Sequence, residues 1–118
     1  MRYYTTKIQS ERLVKLGLSY DTANLVYTAN SSRPRLGSNK TFLEHDIPCW
    51  SVGALLCILR KVYSSSKLHN KEYWLDLYMN GIAFGNRLHT IVEFNFNEMS
   101  IIDAFYKLVV YLLEHKYI

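Results

Sequence analysis

The chain has 118 residues, 49% of them apolar and 20% charged, with a formal net charge of +4 and only 2 prolines and 5 glycines. That length supplies one hydrophobic core without help from disulfides or metal, and the balance of apolar to charged residues excludes a disordered chain. The longest apolar runs, 54–59 and 108–113, are too short to cross a bilayer, and Met1-Arg2-Tyr3-Tyr4 leads into polar residues rather than a secretory leader. A cytoplasmic protein with no membrane partner is the expectation.

Thr6-Lys7-Ile8-Gln9 has the form of a capping box and opens a helix expected over 7–16, with Leu13 and Leu16 on its apolar side. Gly17 can take the left-handed conformation that closes such a helix, and Ser19 suits the cap of a second, short helix reaching about Val26. Over 28–46 no hydrophobic period holds; Asn30-Ser31-Ser32 and Gly37-Ser38-Asn39 flank Pro34 as loop signals. A third helix is expected from Ser51, where Val52, Leu55, Leu56, Leu59, Val62 and Tyr63 recur at three- and four-residue spacing before Ser64-Ser65-Ser66.

Alternation over 73–79 predicts a half-buried strand, with Tyr73, Leu75, Leu77 and Met79 on one face and Trp74, Asp76 and Tyr78 on the other. Asn80-Gly81 signals a hairpin and Gly85-Asn86 a second turn, with a strand over 88–96 beyond and room for a short one over 82–84. In the later strand Thr90, Val92, Phe94 and Phe96 point inward and Glu93 and Asn95 outward. Ser100-Ile101-Ile102-Asp103 then opens a C-terminal helix with a wide stripe of Ile101, Phe105, Leu108, Val109, Leu112 and Leu113. The predicted fold is a single α+β domain over 1–118: a helical hairpin, a third helix, an antiparallel sheet of two to three strands and a C-terminal helix.

The residues that could carry chemistry are few. His45, Asp46 and Cys49 place an imidazole near a thiol in sequence, but no nucleophile elbow, phosphate loop or metalloprotease motif accompanies them. A non-catalytic protein without a cofactor is expected. His45, Cys49, Cys57 and His69 are metal-ligand types at spacings of four, eight and twelve, without the tight pairs of a structural zinc site, so no metal is expected either. On one helix Cys49 and Cys57 would stand ~12 Å apart along the axis, too far for a disulfide.

Charge offers a firmer lead. Between 47 and 71 lie Arg60, Lys61, Lys67 and Lys71 with no acid, and the loop before adds Arg33, Arg35 and Lys40. The plain reading is a solvated surface; the functional one is an anionic, nucleotide-like ligand held by Arg33, Arg35, Arg60 and Lys61 against the faces of Trp74 and Tyr78. The aromatic strand over 73–79 alternatively offers a surface for a host protein or for a homodimer. Nucleic acid is a weaker reading. The segment from Leu16-Gly17-Leu18-Ser19 through Thr22-Ala23 is similar to the turn of a helix-turn-helix motif, in which Tyr20 and Asn24 would meet bases and Arg33 and Arg35 phosphates. Asp21 beside that face repels phosphate.

Three blocks occur in order: Ser10-Glu11-Arg12-Leu13 with Leu16-Gly17-Leu18 and Thr22-Ala23; Pro48-Cys49-Trp50-Ser51 with Ala54-Leu55-Leu56; and Ile102-Asp103-Ala104. Together they resemble a group of small proteins encoded by gut anaerobic bacteria and their phages and prophages. The chain departs from that pattern at Tyr20, where the group has proline, and at Ile101-Ile102, where it has Asn-Pro. The resemblance brings no catalytic residues and implies an accessory role in a mobile element and nothing more definite; counter-defence goes with the charge reading, as capture of a nucleotide-like signal.

Overall fold

A computed structural model describes residues 2–37, 42–64 and 73–118. Ser38, Asn39, Lys40, Ser65, Ser66, Lys67, His69 and Lys71, and the side chains of Val62 and Tyr63, lie outside the described residues. In chain order the elements are helix α1 (Lys7–Lys15), a single 3-10 turn (Tyr20–Thr22), β1 (Leu25–Tyr27), β2 (Arg35–Leu36), β3 (Ile47–Cys49), α2 (Val52–Ser64), β4 (Trp74–Tyr78), β5 (Gly81–Gly85), β6 (Thr90–Asn95) and α3 (Ile101–Glu114). The fold is α+β, with two antiparallel sheets ordered β2-β1-β3 and β4-β5-β6.

Helix α1 begins at the expected capping box: Thr6 accepts from the Gln9 amide at 3.1 Å and the Gln9 side chain accepts from the Thr6 amide at 2.9 Å. It ends in a Schellman motif. Gly17, at φ +93°, donates to Val14 O, and Leu18 donates to Leu13 O at 3.0 Å, which folds buried Leu18 back toward buried Leu13.

The second arm of the expected helical hairpin is corrected to the one 3-10 turn. Ser19 caps it through the Asp21 amide, but Ala23 already has extended backbone and Leu25–Tyr27 pairs with Ile47–Cys49. Burial decides the matter: as a strand the segment hides Val26 and Tyr27, whereas a helix there would be too short to bury a face. The small first sheet that results was not expected from the sequence. It places Cys49 on a strand, with Pro48 tolerated because β3 is an edge strand.

The second sheet has three strands. Tyr78 pairs with Gly81 across a two-residue turn of Met79 and Asn80, one position before the expected Asn80-Gly81. The short middle strand runs over 81–85 and is buried throughout. Ile82 and Phe84 point into the core that α2 and α3 cover, together with Trp50, Leu55, Leu59, Phe105, Leu108 and Leu112. Gly81, Ala83 and Gly85 face the other way, the two glycines beneath the rings of Tyr78 and Trp74. Helix α3 starts where expected, with Ser100 accepting from the Asp103 amide. The carboxylate of Asp103 does not complete a capping box; it accepts instead from Arg2 at 2.7 Å and Gln9 at 2.8 Å, tying the amino-terminal segment and α1 to α3.

Candidate functional site

Among the described residues an apolar groove of about 650 Å³ lies between the segment 17–24, one face of α2 and residues 113–118. Helical spacing builds its long wall. Gly53, Cys57 and Lys61 follow one another every four residues along α2, with Ala54 and Ile58 beside them, so all five share a face. Small residues open the space: among the described residues Gly53 has only Ser51 Oγ, at 3.8 Å, near where a β-carbon would stand. Leu18 and Ala23 form the opposite wall, and Leu113 and Ile118 close one side. The volume falls within the range of small-molecule pockets.

The polar groups along the groove largely serve the fold. Thr22 Oγ1 accepts from the Trp50 indole at 2.9 Å and donates to Ser19 O at 2.6 Å. Asn24 clamps the start of α2: its amide nitrogen donates to Ser51 Oγ at 2.8 Å and its oxygen accepts from the Ser51 amide at 3.1 Å. Ser51 Oγ in turn accepts from the Ala54 amide as the helix cap. Asp21 and Lys61 bring the formal charges to the lining. What the groove offers is therefore mainly shape and apolar surface.

The six residues expected to hold an anionic ligand are spread over three parts of the fold. Arg33 and Arg35 are exposed, the first in the bend before β2 and the second on β2 itself. Arg60 and Lys61 are exposed and adjacent on α2, so their side chains diverge by ~100° around the helix. Of the six, Lys61 alone is among the residues lining the groove. Trp74 and Tyr78 lie on the outer face of β4, where each ring covers a glycine of β5. The Trp74 indole donates to Asn86 O at 2.7 Å. The Tyr78 hydroxyl donates to Glu93, and this bond to a carboxylate pushes the phenol pKa up to about 12.

Tyr20 and Asn24, expected to face bases, sit on the 3-10 turn and on the extended residues after it. One is exposed and near the Phe42 ring, the other is committed to Ser51. A three-residue turn presents no helix face to a groove of DNA.

Cys49 occupies a buried polar cluster. Its thiol donates to Thr5 O at 3.4 Å, Thr5 Oγ1 meets Ser10 Oγ at 2.8 Å and accepts from the Trp50 amide at 3.1 Å, and Tyr27 donates to Thr5 O at 2.7 Å. Burial pushes the Cys49 thiol up, against the hydrogen bonds from Thr5, Ser10 and Tyr27, and also raises the Tyr27 phenol. His45, its sequence neighbour, is exposed. Cys57 carries a free thiol on the exposed face of α2.

The groove residues Leu18, Ala23, Asn24, Gly53 and Cys57 were not readable as one site. A signal existed in the small residues at 53 and 57, which break the apolar stripe of α2 on one side. No helix among the described residues is long and apolar enough to cross a membrane. Comparison with protein-family models, with curated proteins and with solved structures found no match, so the site stands on its own geometry.

Proposed function

We propose that this protein acts by binding rather than catalysis, and that its ligand is a small apolar molecule carrying one acidic group, seated in the groove beside α2. The single observation that carries this reading is the groove itself, about 650 Å³ with predominantly aliphatic walls. An apolar body gains from leaving water on such walls, and an acid group on it seats by the Lys61 ammonium and away from Asp21, the other charge of the lining. A nucleotide fits less well, because among the described residues no aromatic ring lines the groove for a base and one lysine is a thin partner for a polyphosphate. The likeness to phage and prophage proteins supports an accessory role, in which sequestering a small molecule is useful without turning it over.

A naphthalene sulfonate dye tests this with one probe. It should bind saturably, and Gly53→Trp, which drops an indole into open space, should weaken binding by roughly tenfold or more while the melting temperature holds. Lys61→Ala should weaken the sulfonate dye and leave an uncharged naphthalene analogue unchanged. Absence of saturable binding, or binding indifferent to Gly53→Trp, would refute the reading.

A further inference from the structure

A two-residue turn dictates which backbone groups of β4 are used. With Tyr78 and Gly81 paired directly across Met79-Asn80, hydrogen-bonded pairs alternate back along the ladder, so Tyr78, Asp76 and Trp74 bond to β5. The amides and carbonyls of Leu75 and Leu77 therefore point away from β5. Among the described residues β4 ends the sheet on that side, and no strand pairs with that edge.

The remaining edges are blunted in ways β4 is not. β2 has two residues, one of them Arg35. β3 contains Pro48, and the chain just past it is bonded to the amino-terminal segment, Thr5 donating to Trp50 O and Val52 donating to Tyr3 O. β6 carries Glu93 and Asn95 at the positions whose backbone points outward. In β4 the sequence Trp-Leu-Asp-Leu-Tyr has no lysine, arginine or proline, and its one charge, Asp76, stands where the backbone bonds to β5 rather than at an outward position. Its side chains also leave apolar surface open: Leu77 is 48% exposed and Met79, just past the strand, 91%.

We propose that the free edge of β4 pairs antiparallel with β4 of a second copy, centred on Leu77 opposite Leu77, joining two three-stranded sheets into one of six. Three symmetric registers use the outward backbone groups, and side chains choose among them. Centring on Asp76 sets two carboxylates directly opposite at the closest cross-strand spacing, which repels. Centring on Leu75 leaves Met79 in water. Centring on Leu77 places Leu77 beside its copy and Met79 beside the Leu75 of the second chain, burying both exposed apolar residues. It also moves each Asp76 opposite a Tyr78 and leaves the two carboxylates diagonal, ~7–8 Å apart. The strand is thus complementary to itself in one register, and that argues for a second copy over an unrelated strand.

Sedimentation of the full chain should give a mass about twice 13.9 kDa that falls toward the monomer on dilution. Leu77→Pro removes an outward amide without touching the β5 ladder, and Leu77→Lys puts a charge on the seam; both should be monomeric with an unchanged circular dichroism spectrum. In a Cys57→Ser background, Leu77→Cys should oxidise to a linked dimer, since directly paired residues stand ~5.5 Å apart at Cα. Asp76→Cys should link poorly. The proposal is overturned if the unaltered chain stays monomeric at high concentration, if a folded Leu77→Lys variant remains a dimer, or if Asp76→Cys links in place of Leu77→Cys.

Discussion

Trp74 lies over Gly85 so closely that a β-carbon on that glycine would stand 2.4 Å from the ring's Cζ2 and 2.6 Å from His89 O. Tyr78 does the same for Gly81, whose β-carbon would sit 2.7 Å from the phenol oxygen and 2.6 Å from Phe94 O. The outer face of β5 is glycine-alanine-glycine because rings from β4 fill the space that side chains would take. Gly85→Ala and Gly81→Ala should each cost about 1–3 kcal/mol, as overpacked sites do, read from denaturant titration. Adding Trp74→Ala to Gly85→Ala should recover only part of the loss, because the backbone carbonyl of His89 stays where it is.

Thr5 joins α1 to the end of β3 through one buried hydroxyl, and holds β1 through its backbone carbonyl, which accepts from Tyr27. Replacing it with valine keeps the volume but strands the Ser10 hydroxyl and the Trp50 amide, both bonded to Thr5 Oγ1. A loss of about 1–3 kcal/mol is expected. Thr5→Ser keeps the hydrogen bonds and should lose clearly less; equal losses would show that the methyl group matters more than the network.

The Asp103 carboxyl is partly desolvated, which opposes its ionisation, yet hydrogen bonds from Gln9, Arg2 and Ser100 prevail and hold its pKa below the ordinary carboxylate value. A folded-state pKa below the unfolded one means stability present above the unfolded value, 3.8, and lost as pH falls through the lower folded value. Asp103→Asn should therefore be less stable near neutrality and less sensitive to acid. Melting curves from pH 7 downward should converge with those of the parent chain at the acid end.

Tyr78 should be among the last tyrosines to ionise. Its phenol is pushed up to about 12 by the bond to Glu93, against an ordinary 10.0, so this contact stabilises the fold fully below pH 10 and fades as pH rises through about 12. Ultraviolet titration should show one phenol moving down in Glu93→Gln. If the titration curve is the same in both proteins, the hydroxyl does not engage the carboxylate.

The capped and strongly periodic elements were legible in the residues: α1 from Thr6, α2 from Ser51, α3 from Ser100, and the β4–β5 hairpin within one position. The first sheet was not, because β1 to β3 are two or three residues each and gain their order only from partners elsewhere in the chain, as Val26 does from Pro48. The same limit applied to function. Arg33, Arg35, Arg60 and Lys61 were grouped by closeness in sequence, whereas the groove gathers residues 17–24, 53–61 and 113–118, whose closeness exists only after folding. Trp74 and Tyr78 were identifiable as outward rings, but the glycines beneath them lie on another strand.

The bonds from Arg2 to Asp103 and from Arg12 to Glu114, at 2.7 and 2.5 Å, join residues 101 and 102 positions apart. During synthesis the amino-terminal helix therefore emerges long before the helix that anchors it. Its capping box can form at once, but its docking must wait until residues 101–114 leave the ribosome. Contacts so distant in sequence raise contact order, and a higher contact order slows folding. In the interval Leu13, buried in the finished fold, faces water, which makes the nascent chain rather than the native protein the form most exposed to chaperones and proteases.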